Sequence, residues 1–311
     1  MPAWWVWTCI ALGSWGIWAV LSRGLGEALS AGGSQALSTL GMLPLLGALA
    51  VRSRGAWRKG AWRGIGLAMA GGTVTCLGNV AYYGVLGRGE KVATVVSLTA
   101  MYPLVTVLLA VWILGERLNR VQCLGLGLSL AAIWLFNGPG GGGWLSSAVV
   151  LALVPIALWG MSGFLQKVAT RHVVAELAAF CYLLAYVPVG MVLAWRESWP
   201  EAMTGEVWGL GLALGFFLAL GNASMLAAYA RGGKAAVVAP LSGLYPVVSV
   251  PIAVLVLGER IGVVEGLGIL CALASVVALS RESPAVPIPA DQDAVSRGSC
   301  AETAPSPRDP A

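Results

Sequence analysis

The stretch "MYPLVTVLLAVWILGERLNR" at 101–120 returns as "LYPVVSVPIAVLVLGERIGV" at 244–263. Sliding the chain by 143 residues aligns 92–118 with 235–261 without a gap, and 13 of those 27 positions are identical. Upstream, Gly78-Asn79 recurs as Gly221-Asn222, and "RGEK" (88–91) recurs as "RGGK" (231–234). Downstream, Gly125 falls on Gly268, and near the start Trp15-Gly16 falls on Trp159-Gly160 at a shift of 144. A fixed period of this kind marks a duplicated unit, here about 140 residues long, with "NGPGGGGW" (137–144) at the junction.

Composition names the solvent in which the unit folds. Of 311 residues, 58% are hydrophobic and 11% charged, where an ordinary globular domain carries about 25% charge. Val92 to Leu114 runs uncharged for 23 residues, enough to cross a hydrocarbon core of about 30 Å. Charged and Gly-rich breaks divide the rest into ten spans, near 4–22, 34–51, 64–86, 92–114, 121–137, 145–165, 175–195, 208–230, 235–257 and 263–280. Five spans per copy is an odd number, so the second copy enters the membrane from the opposite side. The expected fold is an all-α membrane protein of ten transmembrane helices arranged as two inverted five-helix repeats. Its expected parts are a first repeat (1–137), a Gly-rich linker (138–143), a second repeat (144–280) and a Pro- and Ser-rich tail (281–311), whose composition predicts disorder.

The basic residues orient the bundle. With the N-terminus in the cytoplasm, Arg52, Arg54, Arg58, Lys59, Arg63, Arg117, Arg120, Lys167, Arg171, Arg231, Lys234 and three tail arginines face inward, against Arg23, Arg88, Lys91, Arg196 and Arg260 outside. That bias places both termini in the cytoplasm of a multi-pass protein of the cell (inner) membrane. The basic run at 52–63 is then a topology signal, and no nucleic-acid partner is expected. The first span lacks a charged n-region and an A-x-A site, so it reads as a mature helix rather than a signal peptide.

Pro103 and Pro246 sit at the midpoints of 92–114 and 235–257. Each removes a backbone donor and crowds the carbonyl a turn earlier, at Thr99 and Ser242, so both helices are predicted to kink at mid-membrane. The hydroxyls of Thr99 and Ser242 are expected to help satisfy the freed groups. Tandem five-helix units that each carry Tyr-Pro (Tyr102-Pro103, Tyr245-Pro246) and then "LGER" (114–117, 257–260) resemble the EamA family of the drug/metabolite transporter superfamily. The resemblance covers the chain to about residue 282. It implies a carrier of small metabolites, amino-acid-like or drug-like solutes, expected to export them by alternating access. It also implies that helices 1, 3, 4 and 6, 8, 9 line a central cavity, with 5 and 10 peripheral.

Candidate substrate-binding residues follow from polar or aromatic groups inside spans. Asn79 and Asn222 each need a partner in hydrocarbon: a neighbouring helix, a water or a solute. Tyr82 lies a turn from Asn79, and its counterpart is Met225, so any pocket is chemically asymmetric. Tyr102 and Tyr245 stand beside the prolines; each is read as substrate-facing or as packed with its hydroxyl on a neighbouring helix. Trp15 and Trp159 lie inside the first span of each copy, as cavity wall or as packing. Lys91 and Lys234 begin the fourth helices and are read as cavity-mouth residues or as snorkelling cations. Gly115 is read as closing its helix, and Glu116 as sitting near the next helix's N-terminus. Gly211/Gly215 and Gly262/Gly266 have the spacing of close helix contact; packing within the chain is the favoured reading, and a homodimer interface is the alternative for the second pair.

Several classes are disfavoured. The six cysteines have no C-x-x-C pair, which supports neither a disulfide framework nor a metal site. His172 is the one histidine, and the chain has no H-E-x-x-H, no G-x-S-x-G and no phosphate loop. No enzyme activity and no cofactor are expected, and the expected partners are a small solute and the lipid bilayer. A transport-free helix bundle is the competing reading; it gives no reason for prolines at the middle of both copies. The carboxylates lie in loops, at span ends or in the tail, away from mid-membrane.

Overall fold

A computed structural model describes residues 3–58, 60–114, 118–137, 147–201, 203–279 and 281. The Gly-rich junction, the first "GER" (115–117) and the tail from 282 lie outside them. The described residues form fourteen α-helices and one 3₁₀ turn, with no strand. In chain order the helices are α1 (Ala3–Ala28), α2 (Ala31–Gly41), α3 (Leu43–Arg52), α4 (Trp62–Leu86), α5 (Val92–Thr99), α6 (Pro103–Leu114) and α7 (Arg120–Asn137). They continue with α8 (Ser147–Ala169), α9 (Ala175–Leu184), α10 (Tyr186–Arg196), α11 (Gly205–Ala230), α12 (Ala235–Ser242), α13 (Pro246–Val256) and α14 (Val263–Leu279). Among the described residues, eight helical stretches are long and apolar enough to cross a membrane. The apolar parts of α7 and α14, Arg120–Ala132 and Val263–Ala278, are shorter.

Fourteen helices make ten rods because four rods are broken, and the breaks are mirrored. The fourth rod of each half breaks at 100–102 (between α5 and α6) and at 243–245 (between α12 and α13), as the prolines predict. Pro103 and Pro246 each occupy the first position of the helix that follows, where a missing N–H costs nothing. Bonds of the i→i−3 type carry the chain through, including Tyr102 N to Thr99 O (3.1 Å) and Leu244 N to Leu241 O (3.1 Å). Such tight turns inside a rod are common at hinges. The second rod of each half also breaks, at Met42 and at Ala185, which the sequence reading did not anticipate. The signal was present, since Pro44 and Pro188 stand 144 apart, the same offset as the tryptophans. The first rod also runs beyond its expected end, so that Arg23 and Glu27 form an ion pair within α1.

The halves interlock instead of lying side by side. The third rod of each half, α4 or α11, packs along the first rod of the other, α8 or α1, and against its second rod. Glycines make this approach possible. A Cβ on Gly215 would land on the Ser38 carbonyl of α2, and one on Gly72 would land on the Tyr182 carbonyl of α9. Gly211 faces Leu37 in the same seam, so the Gly211/Gly215 pair serves contact within the chain. Gly262 has nothing near it, and Gly266 meets only Ile261 at 3.8 Å among the described residues. The fifth rods, α7 and α14, pack on each other, with Ser129 and Ser275 sharing a buried hydrogen bond.

Loop contacts fall into two sets. One holds Ser30 Oγ to Glu197 Oε2 (2.6 Å), Arg23 Nη1 to Glu90 O (3.1 Å) and Lys91 Nζ to Arg260 O (2.8 Å). The other holds Lys167 Nζ to Gly233 O (2.7 Å), Asn119 Nδ2 to Arg281 O (3.0 Å) and the Arg231 guanidinium 4.8 Å from the Trp7 ring centre.

Gly215→Ala is expected to destabilise the protein by about 1–3 kcal/mol, because backbone cannot yield as a side chain does. Gly47→Ala, where a Cβ meets nothing within 4 Å, is expected to be neutral or slightly stabilising. Thermal unfolding of both variants in the same micelles measures the difference.

Candidate functional site

The two broken fourth rods cross antiparallel, and their breaks meet. The Tyr102 hydroxyl lies 2.9 Å from Ser242 Oγ and donates to the Ala239 carbonyl at 3.3 Å. In mirror image, the Tyr245 hydroxyl lies 3.0 Å from Thr99 Oγ1 and donates to the Val96 carbonyl at 3.3 Å. Thr99 and Ser242 therefore have a different task from the one expected. The Thr99 carbonyl left by Pro103 is met by Tyr102 N, and both hydroxyls bond their own helix while holding the other half's tyrosine. The tyrosines are 5% and 2% exposed, so each is a packed residue with its hydroxyl engaged and also part of a cavity wall.

The first rods close on this crossing through Trp-Gly. A Cβ on Gly16 would lie 3.2 Å from the Tyr245 carbonyl, and one on Gly160 would lie 2.6 Å from the Tyr102 carbonyl. The preceding tryptophans turn the other way, onto the third rods. Trp159 lies on Gly78, whose Cβ would meet Nε1 at 2.6 Å, and Trp15 lies on Gly221 in the same manner. The Trp159 indole N–H donates to Asn79 Oδ1 at 3.0 Å. Thus the repeated "WG", "GN" and "YP" are three contacts of one interlock, each made between halves.

Between these groups lies a cavity, with about 460 Å³ of empty space when its open mouth is included. Trp15, Asn79, Tyr102, Trp159, Asn222 and Tyr245 all line it, joined by Trp18, Thr75, Gly163, Gln166, Tyr182, Leu218 and Met225. Tyr82 does not. Its ring is fully buried behind the wall, stacked on Trp18 at 4.9 Å, while its counterpart Met225 reaches the lining. Lys91 and Lys234 also lie outside the lining. Among the described residues, none of those lining the cavity carries a formal charge.

The two sides of the cavity differ in chemistry. One is aromatic: Trp18 donates its indole N–H to the Tyr83 hydroxyl (3.0 Å) and meets Trp159 edge to face at 5.7 Å. The other is a polar cluster in which Tyr182 Oη joins Thr75, Ser162 (3.0 Å) and Gln166 Nε2 (3.0 Å). Under the repeat Tyr182, Thr75, Ser162 and Gln166 correspond to Ser38, Leu218, Trp18 and Ser22, so this hydrogen-bonded cluster belongs to one side alone. Gln166 was missed by considering amides of the third spans only. It also lies one residue past the sixth expected span (145–165), and the helix that carries it runs on to Ala169, so its amide needs a partner in hydrocarbon as the others do. Tyr182 carried no such signal, since a tyrosine in a span is ordinary.

At one end of the crossed rods the second "GER" forms a latch. Gly258 has φ +66°, the left-handed conformation that ends α13 without strain. The Glu259 carboxylate accepts from the backbone N–H groups of Val92 (2.7 Å) and Ala93 (2.9 Å), which caps α5. The expected partner for this glutamate's counterpart was the helix that follows in sequence; here the capped helix belongs to the other half. The first-copy Gly115 and Glu116 lie outside the described residues. Lys91, expected at the cavity mouth, is held in this latch by Glu265 Oε2 (2.6 Å) and the Arg260 carbonyl, while Glu265 also takes the Thr94 hydroxyl.

Fold and site together define a multi-pass helical membrane protein with two like halves interlocked around an uncharged, aromatic and amide-lined cavity. The model of the EamA-like transporter family matches residues 2–138 and again 146–281. The chain belongs to that family, two copies in tandem, within the drug/metabolite transporter superfamily. A solved structure titled "Crystal structure of protein" shares the fold, with a TM-score of 0.62 over 88% of this chain and 96% of that one, at 20% identity. No curated protein matches the sequence.

Double-mutant cycles measure the crossing directly. Tyr102→Phe with Ser242→Ala is expected to show a coupling energy of about 0.5–1.5 kcal/mol in denaturant unfolding, as for one buried neutral hydrogen bond. Glu259→Ala is expected to cost about 0.5–2 kcal/mol, as for the loss of a helix cap. Hydrogen exchange should then quicken at Val92 and Ala93 first.

Proposed function

We propose that this protein is a secondary transporter that exports small metabolites or amino-acid-like and drug-like solutes across the cytoplasmic membrane by alternating access. The observation that carries the reading is the position of the cavity. It lies at the seam of the two halves, beside the two mirrored breaks where the fourth rods cross. In inverted-repeat carriers the site lies at the repeat interface near the midplane, next to discontinuous helices, and access alternates as one unit rocks against the other. Pro103 and Pro246 are the proposed hinges, because each break has already lost regular helical bonding and can absorb rotation.

The reading takes all ten rods as crossings, α7 and α14 included, with both termini cytoplasmic and the two repeats inverted. The two sets of loop contacts support it. Each contact joins two residues assigned to the same face: Ser30 with Glu197, Arg23 with Glu90 and Lys91 with Arg260 outward, and Lys167 with Gly233, Asn119 with Arg281 and Arg231 with Trp7 inward. The antiparallel crossing of the fourth rods supports inversion. Substrate-binding roles are proposed for Trp15, Asn79, Tyr102, Trp159, Asn222 and Tyr245, with Tyr82 as a backing residue. Gly262/Gly266 is the proposed dimer contact, its surface being open on α14.

Purified protein in liposomes, loaded with a panel of labelled amino acids, aromatic solutes and cationic drugs, tests the reading. At least one solute is expected to leave faster than from protein-free vesicles. Trp159→Ala is expected to slow it about 10-fold or more, as for loss of a principal contact. A panel in which nothing moves overturns the proposal.

A further inference from the structure

The cavity carries information about its occupant. Among the described residues, two polar atoms of the lining are buried with no hydrogen-bond partner within 3.5 Å, the Gln166 Oε1 acceptor and the Asn79 Nδ2 donor, whose amide stands near the Tyr186 hydroxyl. Both residues are nearly closed to solvent, Asn79 at 1% and Gln166 at 4% exposure. The other halves of these amides are committed: Asn79 Oδ1 to the Trp159 indole at 3.0 Å and Gln166 Nε2 to the Tyr182 hydroxyl at 3.0 Å. The indole can only donate, which orients the Asn79 amide, and with Gln166 Nε2 on the Tyr182 hydroxyl the unmet demand is for one acceptor and one donor from outside the protein.

The walls restrict the rest of the solute. Trp15 and Trp159 each stand edge to face with the Tyr102 ring, at 6.4 Å and 86° and at 6.5 Å and 85°. Rings so placed accept a further flat ring by stacking or by its edge. Among the described residues, no carboxylate lines the cavity to balance a cation, and no Lys or Arg lines it to balance an anion. Aromatic faces attract cations, but burying an unpaired charge costs more than such a face returns. A zwitterion would leave two charges in the same position.

We infer that the transported solute is an uncharged aromatic ring bearing a hydrogen-bond acceptor and an adjacent donor, such as an aromatic carboxamide or a lactam-type nitrogen heterocycle, bound between the indoles with its polar edge on Asn79 and Gln166. This rests on the carrier reading and assigns the substrate class of that same cavity. The ring fills the apolar box, the carbonyl takes the Asn79 N–H, and the solute N–H returns to Gln166 Oε1.

Proteoliposomes holding the full chain, with four labelled probes of similar size, test it. Benzamide is uncharged and carries both polar groups; N,N-dimethylbenzamide lacks the donor; benzyltrimethylammonium is a cation; leucine is a zwitterion. Benzamide is expected to move fastest, with its KM raised about 10-fold or more by removal of the donor, as expected for one buried hydrogen bond lost. The comparison uses the unaltered protein, so it does not depend on any variant folding. Gln166→Met is expected to remove the discrimination between the two amides. Movement of the cation or of leucine in preference to benzamide overturns the assignment and leaves the carrier standing. Equal handling of the two amides also overturns it. If none of the four probes and no member of the wider panel moves, the assignment falls together with the carrier.

Discussion

The crossing of the two fourth rods, held by Tyr102 on Ser242 and Tyr245 on Thr99, is the constraint on which the rest of the structure depends. A tyrosine hydroxyl buried in a membrane protein requires a partner, and here each tyrosine finds one only across the seam. The exchange aligns the two breaks. Once they are aligned, the first rods can approach only where glycine leaves room, at Gly16 and Gly160, and the tryptophans one residue earlier swing onto the Gly78 and Gly221 surfaces of the third rods. The cavity is the space left inside this ring of contacts.

An interlock of this kind suits a molecule that moves as two bodies. Regular helix on both sides of each break keeps the half-rods rigid, while the turns at 100–102 and 243–245 carry weaker bonding. At one end the halves are joined by Glu259 on the α5 N-terminus and by Lys91 with Glu265, all polar contacts near the loops. Contacts at a surface separate at lower cost than packed backbone, such as that at Gly72 and Gly215. The second rods, broken at Met42 and Ala185, add a further pair of joints at mirrored positions.

Much of this was legible from residue order. The prolines marked the fourth-rod breaks because a missing N–H has a local consequence that no packing removes. Trp15, Asn79, Tyr102, Trp159, Asn222 and Tyr245 line the cavity, because a polar or aromatic group placed mid-span has few other places to go. Tyr82 broke the pattern: a residue one turn from Asn79 shares its face only approximately, and its ring stacks behind Trp18 instead. Lys91 was read as a mouth residue from its position in the chain. The loop carrying Glu265 and the Arg260 carbonyl, remote in sequence, takes it into the latch.

The sequence by itself determined the solvent, the duplication, the mid-membrane breaks and the membership in a family of transporters. The first three follow from composition, from period and from the covalent chemistry of proline, all of which act locally, and the family follows from the repeated motifs and the match of its model. Only the tertiary structure decided that each repeated motif serves the opposite half: "WG" and "GN" meet across the seam, each "YP" tyrosine bonds the other rod, and Glu259 caps α5. Only the structure, too, placed Thr75, Ser162, Gln166 and Tyr182 in one cluster. The physical reason is that a hydrogen bond or a glycine contact is specified by its partner. A partner more than eighty residues away, as Asn79 is from Trp159, is chosen by packing rather than by sequence spacing.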